Sequence, residues 1–441
     1  MAAAAEQETH RLIGSKPYRS YVLLILFFGY VINVVDRSVL GILIEPIRAE
    51  FSLSDTQLGF LGGIAFALFY STLGVPIAAL ADRTSRRNVL AGSVLLWSAM
   101  TALCGMAGSY ATLLMARIGT AVGEAGGSPP SHSLISDYFP LKERATALSL
   151  YALGVPVGTM IGSFLGGWGN DLYGWRTTFV LAGVPGILFA LIVYFTVKEP
   201  PRGFADGVKA AAAKAPSPPI TEVLGFLWRK ASFRHLSIAA ALHAGVWYGG
   251  STWNAAFFIR SHDLTSGEAG SYLALFAGIA VIGTFMGGFL SDKLSVRFGD
   301  RRWYMWVPGI ATLVMVPFQL LAYLSPSLTV VVPTFAVMVV LASVFFGPSF
   351  AMTQSLVTLR MRAVAASILL FVQTLIGLGL GPLFTGMISD ALSSELGEQS
   401  LRYALVIVGF GNLWSAAHYF IGARSLRDDL KATEALAAQG R

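Results

Sequence analysis

The chain has 441 residues, 55% of them hydrophobic and 12% charged, with a formal net charge of +7 and a mean hydropathy of +0.65. A soluble domain is about a quarter charged, so these totals exclude an ordinary globular enzyme or binding module and indicate a polytopic membrane protein. The single Cys104 excludes an internal disulfide framework, and without a clustered set of metal-binding acids neither a metal nor a cofactor is expected.

Apolar stretches long enough to cross the hydrocarbon core as helix, about 20 residues each, recur at 21–44, 56–81, 89–108, 111–135, 146–168, 178–197, 234–259, 269–291, 304–323, 328–352, 363–388 and 401–422. This predicts an all-α membrane protein of twelve transmembrane helices, with both termini on one side. The side holding the termini collects 25 Lys and Arg residues; the other has only Arg48, Arg176, Arg260 and Arg402. By the positive-inside rule the termini are cytoplasmic, and the positive charge reflects topology and anionic lipid rather than nucleic acid. The first apolar run carries Asp36–Arg37 and leads to no small-residue cleavage site, so no cleavable signal is expected. Short loops favour a bacterial inner membrane.

Between the sixth and seventh spans lies KEPPRGFADGVKAAAAKAPSPP, a polar, Pro- and Ala-rich linker. The expected organisation is a cytoplasmic tail at 1–20, a six-helix domain at 21–197, a linker at 198–232, a second six-helix domain at 233–423 and a cytoplasmic tail at 424–441. The halves echo one another. AALADRTSRR at 78–87 follows the second span and GFLSDKLSVRFGDRR at 288–302 follows the eighth, placing Asp82 and Asp292 210 residues apart, each with a base next to it, Arg83 or Lys293. A second echo pairs LGVPVG at 153–158 with LGPLFTG at 380–386.

This repeated acid-plus-basic loop resembles the signature of the major facilitator superfamily, which implies two pseudo-symmetric six-helix domains around a midplane cavity. Ala78 stands where that family most often has glycine, and the second copy spreads its bases out to Arg301 and Arg302. Physically the loop reads as a latch: Asp82, with Arg83, Arg86 and Arg87, can pair across a neighbouring helix end in one state and separate in the other. Asp292 and Lys293 would do the same in the second half. Asp137 and Arg144 in DYFPLKER read as a further cytoplasmic gate element.

Four charges lie inside spans, all in the first half: Asp36, Arg37, Arg117 and Glu124. Charge at membrane depth costs at least about 2.5–3.5 kcal/mol on insertion scales, so residues that persist there are usually paired and functional. Arg117 and Glu124 are seven residues apart, so they share a helix face, about 10 Å apart along the axis. Counted from the external ends, Asp36 lies about 12 Å deep, Arg117 about 9 Å and Glu124 about 20 Å. Depth therefore predicts a salt bridge of Asp36 with Arg117 and leaves Glu124 more nearly alone, the first choice for a proton-coupling acid with Asp36 second.

The series NVVDR at 33–37, FSLSDTQLGFLGG at 51–63, ADRTSRR at 81–87, ARIGTAVGEAG at 116–126 and SLISDYFPLKERATALS at 133–149 narrows the resemblance to the Spinster branch, whose members are implicated in moving lysophospholipids and sphingosine-1-phosphate. The resemblance makes Asp36, Arg37, Arg117 and Glu124 the functional positions. A phosphate-bearing lipid also suits these residues chemically, because arginine's planar fork binds phosphate oxygens and stays charged when buried. The second half offers softer candidates for the cavity wall: Trp247, Tyr248 and Asn254 in the seventh span, Thr353 and Gln354 in the tenth and Gln373 in the eleventh.

The expected function is proton-coupled secondary transport of an amphipathic lipid by a monomer, with protons and membrane lipids as the other partners and no enzymatic step. A drug or metabolite antiporter of the same superfamily is the nearest alternative. A lipid-modifying enzyme is the next, its one pattern being the H-x4-D spacing of His132 and Asp137.

Overall fold

The computed structural model describes residues 11–206 and 218–438. The expected tail at 1–10, the linker at 207–217 and residues 439–441 lie outside the described residues. Everything regular in the described residues is helical. In the first half the helices are α1 (Lys16–Ile42), α2 (Ile44–Phe51), α3 (Asp55–Gly62), α4 (Ile64–Arg83), α5 (Arg86–Cys104), α6 (Tyr110–Glu124), α7 (Ser128–Tyr138), α8 (Leu141–Ala152) and α9 (Gly154–Thr196). After the linker come α10 (Ile220–Trp228), α11 (Ala231–His262), α12 (Ser266–Phe298), α13 (Trp303–Leu324), α14 (Leu328–Ser343), α15 (Phe346–Ser355), α16 (Arg362–Val372), a π-helical stretch (Gln373–Leu380), α17 (Gly381–Leu396), α18 (Ser400–Gly409) and α19 (Gly411–Ala438).

Eight helical stretches among the described residues are long and apolar enough to cross a membrane. Two of them, Leu141–Thr196 with 56 residues and Arg362–Leu436 with 75, are each long enough for two crossings. With the more polar stretches Tyr110–Tyr138 and Ala231–His262 these make the twelve crossings expected. Large apolar side chains such as Phe195, Phe285 and Trp414 stand exposed on the helices, as lipid-facing side chains do and as water-facing ones rarely do in such number.

Local sequence explains where helices start and stop. Ser54, Ser85 and Ser109 cap α3, α5 and α6, each hydroxyl accepting the amide three residues on. Pro129 and Pro130 suit the first positions of α7 but no helix interior, so the fourth span breaks between Glu124 and Ser128. Gly174, at φ 77°, makes the kink within α9 between the fifth and sixth spans, a conformation that a side chain would strain.

Contacts divide the chain into two compact units that are not the two sequence halves. The first comprises Met1–Phe51, Ala65–Ala215 and Thr265–Ala274; the second comprises Ser52–Ile64, Pro216–Leu264 and Leu275–Arg441. Each unit thus takes in one short segment of the other half. The last residues of these segments, Ile64 and Ala274, are 210 residues apart, the same spacing as Asp82 and Asp292. In the first unit α9 packs along α1 and α5, and α5 along α6, over a core that includes Trp97, Tyr138 and Tyr151. In the second, α11 packs on α19 and on the π-helical stretch, and the core under α10 includes Phe233, Met352 and Tyr419.

The α5–α6 contact is close because Gly123 lies against backbone: a Cβ there would sit 2.5 Å from the Trp97 amide nitrogen. Gly92 on α5 has nothing within 4 Å of its would-be Cβ. Gly123→Ala should lower stability by about 1–3 kcal/mol through overpacking, whereas Gly92→Ala should leave it equal or slightly raised through helix propensity. Thermal melts of the two variants in detergent should therefore move in different directions.

Candidate functional site

The four intramembrane charges meet in the first unit. On α1, Asp36 is fully buried and accepts a hydrogen bond at Oδ2 from Thr101 of α5, at 3.1 Å. The next residue, Arg37, donates from Nε to Oε2 of Glu124, the last residue of α6. Arg117, about two turns away on the same helix and 4% exposed, makes no ion pair with Asp36; its guanidinium lies over the ring of Phe66, with Cζ 4.5 Å from the centroid. Phe66 and Tyr70, one turn apart on α4, stack at 5.6 Å and 18°. Arg37 also lies over both rings, 5.0 Å from Phe66 and 4.6 Å from Tyr70. Among the described residues, buried Asp36 Oδ1, Arg117 Nε and Glu124 Oε1 have no hydrogen-bond partner.

The salt bridge expected from depth is therefore corrected: Arg37, not Arg117, holds a carboxylate, and that carboxylate is Glu124 rather than Asp36. Helical side chains lean toward the N-terminus of their own helix. The first and fourth spans run in opposite directions, so Arg37 leans down toward Glu124 while Glu124 leans up toward Arg37. The same lean carries Asp36 and Arg117 apart. Counting depth at Cα misses this divergence. Phe66, Tyr70 and Thr101 were not singled out from sequence; an aromatic residue in an apolar span gives no signal until its neighbours are known.

A second cluster sits at the end of the same unit. Arg86, the first residue of α5, is fully buried. Its guanidinium donates to Asp137, to Glu199 Oε1 at 2.7 Å, to Ser133 Oγ at 3.1 Å and to the Pro200 carbonyl at 2.7 Å. Asp137 also accepts the Gly203 amide at 2.9 Å, and Glu199 accepts the Arg87 amide at 2.9 Å. Arg144 binds both oxygens of Asp206 at 2.9 Å. The exposed Asp82 lies 3.5 Å from Arg202, which also donates to the Ala81 and Asp82 carbonyls. Arg83 is exposed, and Arg87 covers Tyr194 at 5.1 Å. The linker's first residues, EPPRGFAD, are thus the acceptors and donors of this cluster; read from sequence they had no role beyond joining two halves. In the second unit, Asp292 accepts a hydrogen bond from Tyr304 and Lys293 lies 5.5 Å from the Phe289 centroid.

The softer candidates of the second half do not gather in this way. Asn254 accepts from the Tyr323 hydroxyl at 2.9 Å, and Thr353 donates to the Ser349 carbonyl at 2.9 Å. Gln373 is buried with Nε2 lacking a hydrogen-bond partner. Trp247 and Tyr248 are half-buried and Gln354 is exposed.

The second unit also holds an ion pair that the sequence reading passed over. Arg260 of α11 grips Asp55 of α3 through both oxygens at 2.7 and 2.8 Å, with both side chains about 5% exposed or less, and Ser389 adds a 2.6 Å hydrogen bond. Asp390 accepts the Asp55 and Thr56 amides at 2.9 and 2.8 Å, capping α3 from 335 residues away. The first unit has a counterpart, Asp171 accepting the Gly267 amide at 2.8 Å at the start of α12.

A family model described as Major Facilitator Superfamily matches residues 26–382, and the chain belongs to that superfamily. It is a secondary transporter, not an enzyme; His132 stacks edge-on against Tyr151 while Asp137 is engaged by Arg86. An MFS-type efflux pump of Mycolicibacterium smegmatis is 32% identical over 404 residues, spanning 90% of this chain and 91% of that protein. Protein spinster homolog 1 of Xenopus laevis is 25% identical over 463 residues, spanning 98% and 86%. Among solved structures, a bacterial homolog to the human lysosomal transporter Spinster, in an inward-facing and unoccupied conformation, matches with a TM-score of 0.86 at 36% identity, covering 94% of this chain and 99% of that one. The chain is Spinster-like over nearly its whole length.

Two outcomes follow from these ion pairs. Arg260→Ala removes the guanidinium from a buried carboxylate and should destabilise the protein by about 3–5 kcal/mol, read as a lowered melting temperature that Arg260→Lys partly restores. Glu199 is pushed up by burial, but the Arg87 amide and the Arg86 guanidinium outweigh this and hold it below the usual carboxylate range. A lowered carboxylate stabilises the fold above its unfolded value, about 4.3, and loses that contribution as pH falls through the folded one. The stability gap between the wild type and Glu199→Gln should be full at pH 7 and close as the pH drops below about 4; a gap independent of pH would contradict this.

Proposed function

We propose that the protein moves an amphipathic, phosphate-bearing lipid such as a lysophospholipid, driven by or exchanged for protons. The observation that carries this reading is the unequal state of two arginines: Arg37 is engaged by Glu124, while Arg117 rests on an aromatic ring with Nε lacking a hydrogen-bond partner. A phosphate presents several anionic oxygens and binds a guanidinium through two parallel hydrogen bonds. Arg117 receives the headgroup first. Protonation of Glu124 releases Arg37 to join it, and loss of that proton returns Arg37 to the carboxylate and weakens the lipid's hold. Asp36, the second acid, is held by Thr101 and takes part in the same exchange. Proton, phosphate and internal salt bridge thus compete for one pair of cations.

On this reading the six-helix domains bounded by the linker alternate around the site, and the clusters at Arg86 and Asp292 are cytoplasmic latches. The cell location is a bacterial inner membrane with cytoplasmic termini, and the working unit is a monomer. Trp247, Tyr248, Asn254, Thr353, Gln354 and Gln373 contribute to the wall for the acyl chain. A second reading, export of an amphipathic drug, is favoured by the relative described as an efflux pump.

The test is uptake of labelled lysophospholipid into proteoliposomes with and without an inward proton gradient. Glu124→Gln should abolish gradient-stimulated transport, at least about tenfold, while lipid counterflow persists. If neither protein moves the lipid and a soluble amphipathic drug is carried instead, the second reading replaces the first.

A further inference from the structure

Phe66 is 1% exposed, carries no polar atom and stands in a span that sequence reads as plain lipid-crossing helix, yet two guanidiniums lie over its ring, at 5.0 Å for Arg37 and 4.5 Å for Arg117. An aromatic face is the negative region of the ring's quadrupole and attracts a cation most where water is excluded. For Arg37 the ring is one partner among several, since Glu124 and Tyr70 also engage it. For Arg117 it is the partner that the geometry shows, at 4.5 Å, since among the described residues Arg117 forms no ion pair and its Nε has no hydrogen-bond partner.

We propose that Phe66 is the positioning residue of the anion site: its ring holds Arg117 away from both carboxylates and keeps Arg37 in place when Glu124 lets go. The inference rests on the phosphate-binding reading above and adds to it the group that makes an arginine available. Without the ring, Arg117 gains by turning to Asp36 or Glu124, and an arginine closed onto a carboxylate no longer receives a phosphate. Tyr70 supports the arrangement by stacking on Phe66 while lying under Arg37. The charged and titratable groups facing Glu124 are Asp36 and Arg37 from α1, which also brings Asn33, Tyr70 beyond Arg37 from α4 and Arg117 on its own helix; α5 presents Trp97 and Thr101 on this side and carries Cys104.

The experiment compares the wild type with Phe66→Leu, Phe66→Tyr and Phe66→Trp in proteoliposomes, with labelled lysophosphatidylglycerol as the probe and the phosphate-free monoacylglycerol of the same chain as competitor. Phe66→Leu keeps an apolar side chain of similar size and removes the quadrupole. It should raise KM for the lysolipid about tenfold with kcat within about twofold, displace the pH profile of transport and lose the preference over monoacylglycerol. Phe66→Tyr should restore all three, and Phe66→Trp should restore the pH profile. A Phe66→Leu protein with the wild-type KM, selectivity and pH profile would overturn the inference, as would a Tyr variant as impaired as the Leu one. Melting temperature against pH, measured without lipid, separates this failure from that of the substrate assignment. Wild type that moves no lysolipid sinks the assignment alone; Leu and wild-type melting profiles that overlap sink the role of Phe66 alone.

Discussion

Charge inside an apolar slab must be compensated by the protein, because neither water nor lipid tails can do it. Glu124 and Arg37 meet this constraint for each other, and the rest of the first unit is arranged to let them. Gly123 lets α6 lie against the backbone of α5, and the break before Ser128 places Glu124 at a helix end rather than in mid-helix. The ring of Phe66 lies under both guanidiniums, at 5.0 Å for Arg37 and 4.5 Å for Arg117. A salt bridge of this kind contributes little net stability, since desolvation offsets most of the attraction. Beside it, Arg37 also lies over the ring of Phe66 and Thr101 donates to Asp36.

The same constraint acts at the end of the unit, with a different result. Arg86 is as buried as Asp36, but each of its three guanidinium nitrogens donates to a side chain or carbonyl. These bonds tie the start of α5, the end of α7 and the first residues after α9 at one point. Among the described residues, the transmembrane cluster leaves atoms of Asp36, Arg117 and Glu124 without a hydrogen-bond partner, whereas Arg86 is bonded at each guanidinium nitrogen.

The second unit is organised by neutral hydrogen bonds rather than ions at membrane depth. Tyr323 bonds Asn254, His243 bonds the Ala342 carbonyl and Thr312, and Asn412 bonds Gln319. Interhelical bonds of this type are modest in strength and join helices without demanding a counter-charge. The exception is Asp55 with Arg260, where a segment from the first half of the chain is clamped by charge, by Ser389 and by the Asp390 cap.

Sequence alone determined the helical class, the number of crossings, the duplicated loop and the four charges inside spans, because each of these follows from composition or spacing along one chain. Hydrophobic length sets a crossing whatever its neighbours are, and an ionised residue in such a run stands out against its surroundings. Partnerships were another matter. That Arg37 and not Arg117 holds a carboxylate depends on which way side chains lean on antiparallel helices, and that Phe66 serves two arginines depends on where α4 lies beside α1 and α6. The linker residues Glu199 to Asp206 gave no sign of docking, and Asp55 and Arg260, 205 residues apart, gave none of pairing. An interaction between distant residues is set by packing in three dimensions, and the energy that selects it exists only once the helices are assembled.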